Sequence, residues 1–344
     1  MGQGEELKTR PDPKVEIQER GDIFFFYRPK VSKEEAHSAD DVQRLYIVLH
    51  PESGEQPVEE KQASDSGKEG EKISGDIKEE EGQEKKGGDN EDTEEEAQEK
   101  KGGDSGAGVE GGHGSEKVNI EKQPLFRFIV MGRKSLPDPH KKGRPYWGFV
   151  EMVTTKTDDI KIALQGEEYD TATRGHRHKP PARALAEGVY RILRHQPSNN
   201  RKAHTHLIYK LELPAPGEKH EPQGSLNIER EASLLLQIKN PEHKGTGSSG
   251  QFRGLREKRK ALFPASLQGR LGHLRFAPAD PPDFLNYEGC EFLLIAASDD
   301  LDEELGLELR TEAEEVRSEK SCSDLIQMFG EAGSSKPLLS GTWV

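Results

Sequence analysis

Cysteine is nearly missing from this chain: Cys290 and Cys322 are the only two among 344 residues. Two distant thiols form neither a disulfide framework nor a Cys-x-x-Cys metal or redox motif. A small disulfide-stapled scaffold is therefore excluded, and a reducing compartment, cytosol or nucleus, is expected. Long apolar runs are missing too. No stretch approaches the roughly 20 residues that a membrane helix needs. The opening Met1-Gly2-Gln3-Gly4-Glu5-Glu6 is too charged for a signal peptide, and Glu6 stands where a myristoylation signal has Ser or Thr. No membrane partner is expected. Aromatic residues make up 6% and hydrophobic residues 31%, against 33% charged, with 36 Gly and 21 Pro. That little apolar material excludes one compact domain running the whole length. The common catalytic signatures are also absent: no Walker loop, no dinucleotide glycine motif and no Gly-x-Ser-x-Gly elbow. Cys290 opens an apolar strand, where a packed thiol is expected.

What is present is sorted by charge. From 51 to 117 there are 22 Asp plus Glu against nine Lys plus Arg, no aromatic residue, and the near-repeats Glu84-Lys85-Lys86-Gly87-Gly88-Asp89 and Glu99-Lys100-Lys101-Gly102-Gly103-Asp104. Such a composition cannot bury enough surface to offset the ordering entropy, about 1 to 2 kcal/mol per residue. Residues 51–123 are expected to be a disordered acidic insertion, and 1–20 a disordered N-terminus. From 124 to 214 the balance reverses, with 17 basic residues, nine acidic ones and six histidines. Residues 299–344 hold 12 acidic and four basic residues, an acidic tail with one short helix at Ser323 to Phe329.

Periodicity predicts strands at Ile23–Tyr27, Val42–Leu49, Phe126–Met131, Trp147–Val153, Thr205–Leu213, Ala232–Ile238 and Glu291–Ala297. Helices are expected after Thr157, from Ala182 to Arg194 with a Glu187–Arg191 pair, and as a basic stretch from Leu255 to Phe263. Residues 21–50 supply only two strands, and a lone hairpin is marginal in water. The expectation is therefore one discontinuous basic core, 21–50 plus 124–298. Its class is α+β, with a largely antiparallel, barrel-like sheet and two or three helices, interrupted by the acidic insertion.

The segments Gly21 to Pro29, Tyr146-Trp147-Gly148-Phe149-Val150, Thr173-Arg174-Gly175, Gly188-Val189-Tyr190 and His204-Thr205-His206-Leu207 with Glu212-Leu213-Pro214 resemble a family of plant and microbial proteins. The resemblance spans 21–50 and 124–241. That family has no assigned activity, so the resemblance implies no catalytic residue.

Two clusters carry candidate chemistry. Thr171, Thr173, Arg174, Gly175, His176, Arg177 and Arg183 combine hydroxyls, a flexible glycine and bidentate donors before an expected helix start, the makings of a phosphate or oxyanion site. Lys134 and Arg144 would extend the same surface. His204 and His206 share one strand face, as a His-x-His metal pair must. Glu212, the nearest carboxylate on that face, is roughly 20 Å away along a straight strand, so no metal is expected, and no cofactor either. His176, His204 and His206 are the candidate acid or base groups.

The expected function is a binding module for a phosphorylated or polyanionic ligand in a basic Arg/His cleft, with the acidic insertion as a tethered competitor. A phosphate-processing enzyme, hydrolase or transferase, on the same cluster is the alternative. Nucleic acid is a further expected ligand class, because Arg127 lies between Phe126 and Phe128 and Arg191 follows Tyr190, as on a stacking platform. A scaffold recruiting basic protein partners through the acidic segments is the third reading.

Overall fold

Five consecutive apolar or aromatic residues, Ile23 to Tyr27, leave no side of a strand for solvent. The computed structural model covers both sides. It describes residues 4–52, 55–59, 115–120, 122–141, 144–173, 175–197, 202–216, 220–243, 254–311, 323–330 and 334–344, all in one compact unit formed by residues 1–60 and 113–344. Strand β2 (Val15–Pro29) lies between β3 (Val42–Pro51) and β10 (Arg183–His195). From β3 the sheet continues through β6 (Phe126–Met131), β7 (Tyr146–Thr154), β14 (Glu291–Ser298), β12 (Glu231–Lys239) and β11 (His204–Leu213), and β11 pairs back to β10. The result is a closed eight-stranded antiparallel barrel within an α+β fold. Closure removes the sheet edges that would otherwise invite pairing with other chains.

Alternation along each strand divides the apolar residues between two sides. Ile23, Phe25 and Tyr27 of β2, with Tyr190, Tyr209 and Phe292, belong to the large inner cluster. An eight-stranded barrel has room for little beyond its own side chains, and these fill it. The outer residues Phe24, Phe26, Phe126 and Phe128 form a second cluster, covered by α1 (Thr157–Leu164), α5 (Asp324–Phe329) and Leu338 of α6 (Lys336–Ser340). The Phe329 ring sits 5.4 Å from Phe24 and 5.6 Å from Phe126, edge to face. On the opposite flank Leu193 and Ile208 are buried under α4 (Leu301–Leu305) and β15 (Leu307–Arg310). The remaining helices are α2 (Glu221–Ser225) and α3 (Ala265–Leu271), and the short β13 (Phe276–Pro278) extends the sheet from β12.

Several expectations are corrected. The segment expected as a helix from Ala182 is the strand β10. Its residues from Arg183 to Leu193 are all buried, because one face lines the barrel and the other is roofed, which erases the period-two signal. Glu187 and Arg191 accordingly do not pair. Glu187 binds Ser323 and the Leu325 amide, and Arg191 binds Glu6. The basic stretch at 255–263 contains only a 3₁₀ turn, Glu257–Arg259. Residues expected to form a disordered N-terminus include β1 (Glu5–Lys8) and the start of β2; β1 pairs with β15, and Glu6 is held by Arg191 and Arg20. The acidic tail supplies β15, α4, α5 and α6, and its Trp343 packs on Tyr27 at 5.6 Å. The aromatic platform is internal, with Phe126, Phe128 and Tyr190 at 3% exposure or less. Where the acidic insertion was expected, Glu55–Glu59 (β4) pairs with Ser115–Asn119 (β5); residues 60–114 lie outside the described residues.

Candidate anion site at the barrel mouth

The segment 171–183, expected to form the anion site, runs from the end of β8 (Glu167–Thr171) through β9 (Gly175–Lys179), which pair as a hairpin, to the first residue of β10. Its histidines face acids: His176 lies 3.3 Å from Asp170 and 3.8 Å from Glu168, and His178 lies 3.4 Å from Glu34. Thr171 donates to the Gly175 carbonyl across the turn, Gly175 takes φ +65° and Thr173 is exposed. Arg177 is half-buried opposite Tyr169. Arg183 donates to the Glu34 carbonyl at 2.7 Å. Arg174 lies outside the described residues. Lys134 is 3.4 Å from Asp40, and Arg144 is exposed just before β7.

His204 and His206 do not join this group. Register places His204 against His195, at the far end of β10 from Arg183, about 40 Å along the strand.

At that far end a cleft of about 270 Å³ opens, lined by Arg194, His204, Arg270, Asp280 and Phe284 among others. Each comes from a different place in the chain. Arg194 has the inward parity of Tyr190 and Ile192 and so projects at the rim of the barrel. Arg270 comes from α3, Asp280 follows β13, and Phe284 belongs to the 3₁₀ turn Pro282–Asn286. This turn caps the mouth through Asn286, which accepts from Arg127 Nε at 2.8 Å. Below it Arg127 meets Glu19, and the Tyr190 hydroxyl donates to Glu19 at 2.7 Å. Burial disfavours the guanidinium charge, but the Glu19 carboxylate outweighs it and raises Arg127 above its ordinary value.

The cations of the cleft outnumber its engaged acids. Asp280 accepts from Gln18 at 2.8 Å and lies 3.8 Å from Arg194. Arg270 makes no hydrogen bond or ion pair among the described residues; its charge is felt by Asp283, whose carboxyl burial raises. Behind His204 stands His206, 2% exposed, its Nδ1 2.9 Å from the Ser233 hydroxyl and 3.8 Å from Glu304. Burial, with His195 and His204 adding repulsion, pushes His206 down to about 3. Ser233 is fully buried and so is out of reach as a nucleophile. Among the described residues no three His, Cys, Asp or Glu groups are arranged to hold a metal ion.

His204 stood out in the sequence as one of a facing pair. Arg270 and Asp280 carried no local signal, because only barrel closure brings them to His204. Comparison with known proteins finds no matching family model, no matching curated sequence and no matching solved structure. The chemistry therefore rests on the residues themselves.

Proposed function

We propose that this protein is a binding module of the cytosol or nucleus for a phosphorylated or polyanionic ligand, held in the cleft at the barrel mouth. One observation carries the reading: Arg194 and Arg270 line one concave site, with His204 at its edge, and the site's own acid, Asp280, is already engaged. Guanidinium groups suit phosphate because they offer paired donors in a plane, and Phe284 and Leu274 give the cleft an apolar side for the body of the ligand. The filled barrel interior favours binding at the mouth over binding in the lumen. The acidic insertion is the tethered competitor in this reading. Its root strand β4 lies against the turn that carries Phe284, and a tethered anion competes through high effective concentration.

A second reading, phosphoester hydrolysis or transfer, is supported only by His204, the one imidazole lining the cleft. The test is a thermal-shift series with pyrophosphate, sugar phosphates, mononucleotides and short RNA at low and moderate salt. A ligand that binds only the native state raises the melting temperature. A shift that Arg270→Ala removes supports the cleft. No shift with any of these anions overturns it and favours a role through protein partners of the acidic segments.

A further inference from the structure

Three of the residues that line the cleft are buried, Thr205, Ala277 and Phe284, while Arg194 and Arg270 are exposed. The cleft is therefore graded, with cations at its rim and a floor of low polarity. Thr205 is the exception on that floor. It is 2% exposed, yet its Oγ1 has no hydrogen-bond partner among the described residues. Register sets Thr205 opposite Arg194, and it shares the inward parity of Leu207 and Tyr209, so it stands on the cleft's side of the sheet. Buried hydroxyls are paired in the large majority of cases. An unpartnered one in the floor of a cleft calls for an explanation.

The acid of the cleft points the same way. Asp280 takes a hydrogen bond from Gln18 at Oδ1, and its Oδ2 stands 3.8 Å from Arg194 Nη1, beyond hydrogen-bond length. That oxygen repels an anion but accepts from a neutral hydroxyl. A threonine hydroxyl both donates and accepts, so it too suits a hydroxyl partner. Among the lining residues, paired donors for phosphate come only from Arg194 and Arg270. At about 270 Å³ the cleft falls just below the roughly 300 to 1,000 Å³ of drug-sized pockets. That size fits a compact ligand and leaves a polymer only the rim.

Resting on the cleft reading above, we propose that the ligand is a small phosphomonoester of a polyol or sugar, with its phosphate on Arg194 and Arg270 and hydroxyls of its body bonded to Thr205 and Asp280. Thr205 is then the residue that sets specificity. A site built to bond a hydroxyl rejects an analogue that lacks it, because the site's own buried polar group stays unpaired. Nucleic acid, whose phosphates are diesters strung along a chain, does not reach the floor.

Two probes of equal charge separate the hydroxyl from the phosphate: glycerol 3-phosphate, and propyl phosphate, which lacks the hydroxyls. Titration calorimetry on the full chain at low salt is expected to show glycerol 3-phosphate binding about tenfold tighter, and the two probes binding alike in Thr205→Val. The free Thr205→Val protein is expected to melt about 2 to 4 °C above wild type, since the change removes an unpaired hydroxyl and keeps the shape. Equal binding of the two esters by wild type, a preference that survives in Thr205→Val, or a melting temperature lowered by that change overturns the assignment to Thr205. Pyrophosphate, which has charge but no hydroxylated body, reports on the arginines alone. Binding of pyrophosphate with neither ester bound overturns the polyol phosphate and leaves the cleft reading standing. No binding of any of the three overturns both.

Discussion

Arg127 and Glu19 meet inside the barrel through two parallel hydrogen bonds, Nη1 to Oε1 at 2.5 Å and Nη2 to Oε2 at 2.7 Å. The pair is enclosed, with Arg127 at 0% and Glu19 at 6% exposure, and it braces the turn that walls the cleft. A buried pair gains little over an apolar pair of the same shape, but breaking one half strands a charge. Arg127→Met is therefore expected to destabilise the protein by about 3 to 5 kcal/mol, and adding Glu19→Leu to restore most of that. Urea unfolding of both variants measures it; a single variant within about 0.5 kcal/mol of wild type contradicts the brace.

Glu187 and His206 give stability opposite pH slopes. Burial pushes the Glu187 carboxyl up to about 7, although Ser323 and the Leu325 amide donate to it. A carboxyl raised above its unfolded value binds more protons when folded, so stability falls as pH rises from about 4.5 through 7. His206, lowered to about 3 by burial, makes the unfolded chain the better proton binder, so stability falls as pH drops below about 6.5. Relative to wild type, Glu187→Gln is expected to steepen the gain in stability with pH between about 5 and 6.5, and His206→Asn to reverse it, each by about 1 kcal/mol per pH unit. Melting temperatures across that window decide; two unchanged profiles contradict both assignments.

Cys290 is fully buried and burial raises its thiol above the ordinary range, so it is neither ionised nor accessible. In a Cys322→Ser variant, a thiol reagent is expected to leave the native protein unlabelled and to react fully in denaturant. Rapid labelling under native conditions would refute the burial of Cys290.

Strands with one wet side or a clean apolar run were legible in the sequence. Phe126–Met131 is β6 to the residue, and Val42 to Leu49 lies within β3. β10 was not. Ala, Leu, Glu and Arg favour a helix locally, and burial on both faces removed the alternation that would have marked a strand. That one misreading bears on where His195 lies. A helix from Ala182 would have aimed its N-terminus at the 171–183 loop, whereas a strand carries His195 to the far mouth beside His204. The imidazoles were visible in advance as a facing pair. The arginine and aspartate that complete the cleft, Arg270 and Asp280, lie more than sixty residues away from them in sequence, and no local pattern predicts a barrel mouth.

The most direct test of the cleft is to compare Arg194→Ala with Arg270→Ala in the barrel mouth and Arg177→Ala in the hairpin, measuring pyrophosphate binding at low salt by calorimetry. Truncating either cleft arginine is expected to weaken binding about tenfold or more, since charge-assisted hydrogen bonds contribute about 1.5 to 3 kcal/mol, while Arg177→Ala leaves it unchanged. Loss of binding in Arg177→Ala, with both cleft variants at wild-type affinity, would place the anion on the hairpin and contradict the account of the mouth.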